Sequence, residues 1–398
     1  MLTLETRQQP DDGVIQGLTR GYYRRSHRTT LEERLGDVRR SVELEAYATA
    51  TLAGVEERLV EVLLACPALA RREEDVRRLS REAVRMPWLI DARYTVHRIP
   101  KKSGGHRVIE APDELLKTAQ AWVLRRVLYR NNLPSSRAYG FVPGKGVRNN
   151  AAVHCRRRPD NRSLWLWKAD LADFFPSISA GKALTGLVET LSRAVDDALL
   201  EPRGARAWGL GAAHWGDIIT YLGVVYLCTY KERLPQGAPT SPFLSNLVYR
   251  RMDTKMLAII RNTGSDAIYT RYADDICISG EDMADVRRLG RIAQNVVERE
   301  MGGVVNLRKT ALCRHGRPMR VTGVNINQGP SISRYKRDKV RAWLHNAVKR
   351  GSVSAKDRMR LGGYKAFYAH VDREGWERRC GGLYREMLKL PTLKEAAQ

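Results

Sequence analysis

Apolar residues in the first quarter of the chain recur at helical spacing. Thr30-Leu31-Glu32-Glu33 has the form of a capping box, opening a helix with Leu31, Leu35, Val38 and Val42 on one face. The same period predicts helices over 53–64 and 73–84, the second carrying Arg77, Arg78 and Arg81 on its polar side. A charge run of that kind is either a solvated face or an RNA contact. Residues 1–29, ahead of the first helix, are polar and rich in Arg, with little periodicity. From Tyr94 the pattern shortens to strands and turns. Residues 94–100 alternate as a strand, Lys101-Lys102-Ser103-Gly104-Gly105-His106 is a basic hairpin tip, and 107–109 return as its partner. An amphipathic helix follows over 115–129. A second set of strands is predicted over 164–169 and 267–278, with helical material between them. Beyond Asn327 the pattern is helical and basic to the end. Neither an internal repeat nor a low-complexity linker interrupts this order.

Charge narrows the class of partner. The 398 residues are enough for two or three domains, and 69 Lys and Arg against 44 Asp and Glu leave a net charge of +25. An excess of that size points to a nucleic acid or an anionic membrane. No apolar run reaches the roughly 20 residues of a spanning helix, and the N-terminus lacks a signal-peptide apolar region, so nucleic acid is the expected partner and the cytoplasm the expected compartment. Cys66, Cys155, Cys228, Cys277, Cys313 and Cys380 are scattered, without the pairing or His spacing of a zinc site, and are expected to be reduced thiols.

Two apolar segments, 267–269 and 276–278, bracket a tight turn, Tyr272-Ala273-Asp274-Asp275. Adjacent carboxylates in a partly buried turn repel each other unless a cation neutralises them; a solvated Asp-Asp turn is the alternative. A third carboxylate, Asp170, ends the strand of 164–169 and leads into Leu171-Ala172-Asp173-Phe174-Phe175-Pro176. Neighbouring strands of one sheet would bring Asp170 to Asp274 and Asp275. Phosphoryl transfer by two Mg²⁺ ions needs such hard oxygen ligands, around ions about 4 Å apart. Asp173 is expected to cap the following helix or to face solvent instead.

In this order of motifs the chain resembles the reverse transcriptases over most of its length. The resemblance makes Tyr272-Ala273-Asp274-Asp275 the family's Tyr-x-Asp-Asp box and Asp170 its first catalytic Asp. It implies that Asp170, Asp274 and Asp275 hold two Mg²⁺ ions, with Mn²⁺ as the substitute and the backbone carbonyl of Leu171 assisting. It makes Phe175 the aromatic gate that selects deoxynucleotides; the rival role is a core ring beside Phe174. Leu234-Pro235-Gln236-Gly237-Ala238-Pro239-Thr240-Ser241-Pro242, continuing through Phe243-Leu244-Ser245-Asn246, matches the nucleotide-and-template loop. There Gly237 lets backbone approach the base pair and Gln236 offers an amide to sugar or base. Lys102 and Arg107 are implied to grip the incoming triphosphate. Lys309, in Asn306-Leu307-Arg308-Lys309-Thr310, is implied to lie near it and to protonate the leaving group.

Two further strings resemble elements of bacterial retron reverse transcriptases: Asn150-Ala151-Ala152-Val153-His154 their NAxxH, and Val321-Thr322-Gly323 their VTG. Their flanks agree, although Tyr139 stands where those enzymes commonly have His. This resemblance implies an enzyme that copies its cognate structured noncoding RNA into multicopy single-stranded DNA. Priming is implied to use a 2′-hydroxyl, giving a branched RNA–DNA, in a system of antiphage defence with a separate effector protein. RNA contacts are then expected from Asn150, His154, Val321, Thr322 and Gly323, and from Tyr335, Lys336, Arg337 and Arg341. The implied fold is α+β, a right hand with a ferredoxin-like antiparallel palm sheet, mixed fingers and a helical thumb. Its divisions are an N-terminal helical extension and fingers over 1–90, fingers over 91–160, palm over 161–328 and thumb over 329–398. The rivals are another bacterial reverse transcriptase, defence-associated or group II intron-like, and an RNA-binding scaffold without catalysis. The absence of a maturase or endonuclease segment argues against the intron lineage, and three intact carboxylates argue against the scaffold.

Overall fold

A computed structural model describes residues 48–101, 104–129, 134–155, 164–187, 223–314 and 316–393. The capping box at Thr30 and the implied triphosphate ligand Lys102 lie outside the described residues. In chain order the main elements are α1 (Ala48–Leu64), α2 (Glu73–Arg85), β1 (Tyr94–Pro100), β2 (His106–Pro112), α3 (Glu114–Val123), α4 (Val147–His154) and β3 (Trp165–Ala172). There follow α5 (Ser241–Asn262), β4 (Ile268–Tyr272), β5 (Asp275–Gly280), α6 (Met283–Asn295) and the short strands β6 (Val304–Val305), β7 (Ala311–Arg314), β8 (Arg320–Val321) and β9 (Val324–Asn325). Three helices close the chain: α7 (Arg334–Arg350), α8 (Ala355–Val371) and α9 (Gly382–Lys389). This is the expected α+β mixture. None of the six cysteines is disulfide-bonded. Among the described residues no helix is long and apolar enough to cross a membrane.

Contacts gather the chain into two compact units, a different division from the four segments read in the sequence. The first comprises Met1–Ser136, Ala172–Lys255 and Val297–Val304. In it α1 buries Val55, Leu59 and Leu63, and α2 buries Val76, Leu79 and Ala83, apolar stripes at spacings of three and four. The arginines of α2 are matched locally. Arg77 pairs with Glu73 and Glu57, both at 2.9 Å, Arg78 with Asp75 at 2.6 Å, and Arg81 and Arg85 with Glu56. That is the self-paired face of the first alternative, its arginines balanced by acids of α1 and α2 while remaining largely exposed. β1 and β2 form an antiparallel hairpin from Tyr94↔Pro112 to Pro100↔His106. Asp113 then caps α3, accepting from the Leu116 amide at 2.7 Å.

The second unit comprises Arg137–Leu171, Met256–Val296 and Val305–Gln398. Its sheet has β3 at the centre. β5 lies antiparallel along one edge, from Trp165↔Gly280 to Asp170↔Asp275, with β4 beyond it. On the other edge β7 pairs with residues Trp165 to Lys168, and β6 completes the row. Alternation sends Leu166 of β3 and Cys277 of β5 into one core with Val321 and Val324 of the β8–β9 hairpin. Val340 and Leu344 of α7, Leu361 and Tyr368 of α8, and Met387 of α9 belong to the same core. Trp376 anchors it, its ring 5.4 Å from Tyr368 and 5.6 Å from Tyr384 in edge contacts. Each such buried side chain stabilises by roughly 1.5–3 kcal/mol, so the sheet and the C-terminal helices hold one another.

Candidate active site

The turn between β4 and β5 is as tight as a hairpin allows. Tyr272 pairs with Asp275, leaving Ala273 and Asp274 as a two-residue loop. Ala273 has φ 54°, a conformation that costs any residue with a Cβ and that persists only where its surroundings enforce it. They do so here from several sides. The Arg271 guanidinium, with no exposed surface, donates to the Ala273 carbonyl at 3.4 Å. The Leu171 amide donates to the Asp274 carbonyl at 3.0 Å. Along the outer edge of β4, the Arg271 amide donates to the Arg137 carbonyl at 2.9 Å and the Tyr139 amide to the Arg271 carbonyl at 2.8 Å. The next residue is Gly140, and a Cβ there would lie 2.5 Å from the Ala273 nitrogen. Glycine is needed because two backbones meet.

Register then delivers the third carboxylate. Asp170 is the direct antiparallel partner of Asp275, so the two side chains share one face of the sheet, with Asp274 in the adjoining turn. Burial first, then the neighbouring Asp274 and Asp170 charges, push the Asp275 carboxyl up to about 6. Lys309 donates to Asp170 at 2.8 Å, a bond that raises its own pKa. The sequence reading brings Lys309 to the site as an acid for the leaving group; its partner in this structure is Asp170. The amide of Asn306, at the head of the same motif, donates to the Asp170 carbonyl at 2.8 Å. Asp173 is exposed, as expected, with φ 43°. Among the described residues no three acidic, imidazole or thiol side chains enclose a metal position. The donor chemistry nevertheless fits a hard divalent cation, which would neutralise carboxylates that burial and one another hold toward the protonated form.

The first unit carries Phe175, Arg107, Gln236 and Gly237 of the implied nucleotide residues. Phe174 is buried, 5.2 Å from the rings of both Phe175 and Tyr249, whereas Phe175 is only half-buried. The core role thus falls to Phe174. Arg107 is exposed on β2. Three residues beyond it, buried Glu110 receives both terminal nitrogens of Arg233, at 3.0 and 2.5 Å, and the Gln236 amide at 3.1 Å. Its own amide donates to the Gln236 carbonyl at 3.0 Å. A Cβ at Gly237 would stand 2.3 Å from the Glu110 carbonyl, so the close approach that Gly237 permits here is to β2. Sequence reading missed this clamp. A lone Glu in a strand and an Arg in a loop carry no signal until the fold joins them.

The retron-like elements divide by burial. Asn150, His154 and Val321 have no exposed surface. His154 lies between Ser279 Oγ at 2.7 Å and Thr270 Oγ1 at 2.8 Å, tying α4 to β5 and β4, and Val321 is core. In this structure the three side chains face inward: His154 docks α4 on the sheet, Val321 docks the β8–β9 hairpin, and the Asn150 amide is buried with neither its oxygen nor its nitrogen hydrogen-bonded among the described residues. Thr322 and Gly323 are different. With φ 47° and 80° they form the two-residue turn joining β8 to β9, and a β-branched residue in that conformation is a genuine outlier. They rim a cavity of about 400 Å³ that also reaches Lys168, Asp170, Asp275 and Lys309. On α7, Tyr335 is 75% exposed, Lys336 and Arg341 are exposed, and Arg337 is half-buried.

The model of the reverse transcriptase (RNA-dependent DNA polymerase) family matches residues 99–326, more than half of the chain. The Retron Mx65 reverse transcriptase of Myxococcus xanthus is 35% identical over 72% of this chain, and the chain spans 63% of that protein. The Retron Ec86 reverse transcriptase of Escherichia coli is 30% identical over 76% of this chain and 84% of its own length. The Retron Mx162 reverse transcriptase of Myxococcus xanthus is 32% identical over 64% of this chain and 53% of its own length. Among solved structures, apo telomerase from Candida tropicalis aligns with a TM-score of 0.44 at 14% identity, over 60% of this chain and 48% of its own. A family model that covers the paired strands β3 and β5 and the turn between β4 and β5, and a retron enzyme matched along most of its length, place this chain in the reverse transcriptase family, among the retron enzymes.

Proposed function

We propose that this chain is an RNA-directed DNA polymerase that copies its cognate structured noncoding RNA into single-stranded DNA. The observation that carries this reading is the pairing of Asp170 with Asp275, with Asp274 held in a strained two-residue turn beside them. Asp170, Asp274 and Asp275, with the Leu171 carbonyl, would hold two divalent ions, Mg²⁺ or Mn²⁺. Such ions supply acidity to the attacking hydroxyl and neutralise charge on the departing pyrophosphate. The residues of the chain orient the rest. Lys309 balances Asp170 when the site holds no nucleotide and is free to turn to a triphosphate. Phe175 excludes a 2′-hydroxyl on the incoming sugar, and Arg107 and the Gln236–Gly237 loop frame the deoxynucleotide. Tyr335, Lys336, Arg337 and Arg341 meet the RNA, and the net charge of +25 supports a polyanionic partner.

The retron relationship supports the finer reading: priming from a 2′-hydroxyl, a branched RNA–DNA product, and a place in antiphage defence beside a separate effector. The test is to express the chain with its native flanking DNA and isolate the nucleic acid formed. A single-stranded DNA sensitive to debranching enzyme is expected, and Asp274→Asn should abolish it while RNA binding persists. An unbranched product would move the chain to another kind of bacterial reverse transcriptase. RNA binding with no DNA product would leave the non-catalytic scaffold.

A further inference from the structure

We propose that Lys168 is a positioning residue that binds a phosphodiester of the primer strand in the cavity beside Asp170 and Asp275; this rests on the polymerase reading above. Lys168 precedes Asp170 by two residues on β3, so it lies on the same face of the sheet, about 7 Å along the strand. Its cross-strand partner is Cys277, which follows Asp275 by two. The rung next to the carboxylates is therefore a cation over a small buried thiol. The cavity of about 400 Å³ is lined by Lys168, Asp170, Asp275, Lys309, Arg320 and Thr322, among others. That volume suits a nucleotide unit and far exceeds an ion.

Its three cations are not equivalent. Lys309 is engaged with Asp170 at 2.8 Å, and the Arg320 Nε donates to Asn325 Oδ1 at 3.2 Å. Lys168 is half-buried and, among the described residues, makes no direct hydrogen bond or ion pair, its charge reaching Asp275 only across the intervening rung. A half-buried ammonium without a direct contact remains open to one, and an anion entering the cavity supplies it. The anion must share the cavity with the strand whose hydroxyl reaches Asp170 and Asp275. A compact ammonium binds phosphate as a point charge, without demanding one orientation. The rim of the cavity is open backbone: nothing lies within 4 Å of where a Cβ of Gly323 would stand. These points favour the primer over the triphosphate as the source of the phosphate.

The experiment compares the full chain, K168Q and K168R on an RNA template with a DNA primer. The primer carries either native linkages or one uncharged methylphosphonate among the linkages nearest its 3′ end. K168Q should raise the KM for primer–template about tenfold, the effect of losing one charge-assisted contact, and leave the KM for deoxynucleotide unchanged. K168R should retain most of the affinity. At one linkage the methylphosphonate should cost the unaltered chain as much as K168Q does, and cost K168Q nothing more. Because that arm needs no variant, misfolding of K168Q does not decide the outcome. Three results overturn the inference: a rise only in the deoxynucleotide KM, which assigns the phosphate to the triphosphate; equal methylphosphonate penalties in both proteins; or no change in K168Q. An unaltered chain that extends no primer defeats the polymerase reading itself.

Discussion

Replacing Asp275 by Asn should destroy activity and at the same time stabilise the metal-free protein at neutral pH. Burial, followed by the charges of Asp274 and Asp170, lifts this carboxyl from 3.8 to about 6. A raised folded-state pKa means that the native protein holds the proton more tightly than the unfolded chain does. The native state therefore loses stability as pH climbs from about 4 through 6, and the loss is complete above that window. A shift of about two units is worth about 3 kcal/mol at most, and about 1–2 kcal/mol once water around a half-exposed carboxylate is counted. Asn imitates the protonated form at every pH. The gain in D275N should thus be near zero at pH 4 and full at pH 7.5, in chelator. The assay is urea denaturation of both proteins across that range, with a shift in Tm of about 2–4 °C per kcal/mol as a second readout. Added Mg²⁺ should then stabilise the unaltered chain more than D275N, by binding only the native state. An equal gain at pH 4 and 7.5, or a loss at pH 7.5, would refute the electrostatic account of the turn.

Three other perturbations follow from the geometry. Glu110→Gln leaves the Arg233 guanidinium without its carboxylate and should cost about 2 kcal/mol in denaturant melts. It should also raise the KM for deoxynucleotide while RNA affinity holds; an unchanged KM would detach the Gln236 loop from Glu110. Gly140→Ala puts a Cβ 2.5 Å from the Ala273 nitrogen and should lower kcat by about a hundredfold, the order of cost of a misplacement near 1 Å, with RNA binding intact. Phe175→Ala should admit ribonucleotides in single-nucleotide incorporation, and unchanged sugar discrimination would make the ring merely structural.

How much of this was legible in the sequence varies with the range of the interaction. Alternation at 94–100 gave that strand its observed bounds, and the predicted helix over 73–84 ends one residue short of the observed one, because period and local propensity act within a few residues. The Asp-Asp turn was equally plain, lying between two apolar segments. The Asn150–His154 element was visible as a string, yet its side chains face inward. A motif reports which residues occur together; whether their side chains meet solvent depends on what packs over them.

By itself, then, the sequence determined the local elements, the basic charge, and the residue types that can hold divalent cations. It also determined family membership, because order and spacing of motifs are properties of the chain. Tertiary structure decided which groups become neighbours. It set Asp170 against Asp275 from more than a hundred residues away, turned Glu110 into a clamp on the Gln236 loop, and brought Gly140 up against Ala273. It also left Lys168 half-buried beside the carboxylates, with no direct hydrogen bond or ion pair among the described residues. The physical reason is common to all of these: strand register and backbone contact distances are fixed by packing across a whole compact unit. No short stretch of sequence contains that information.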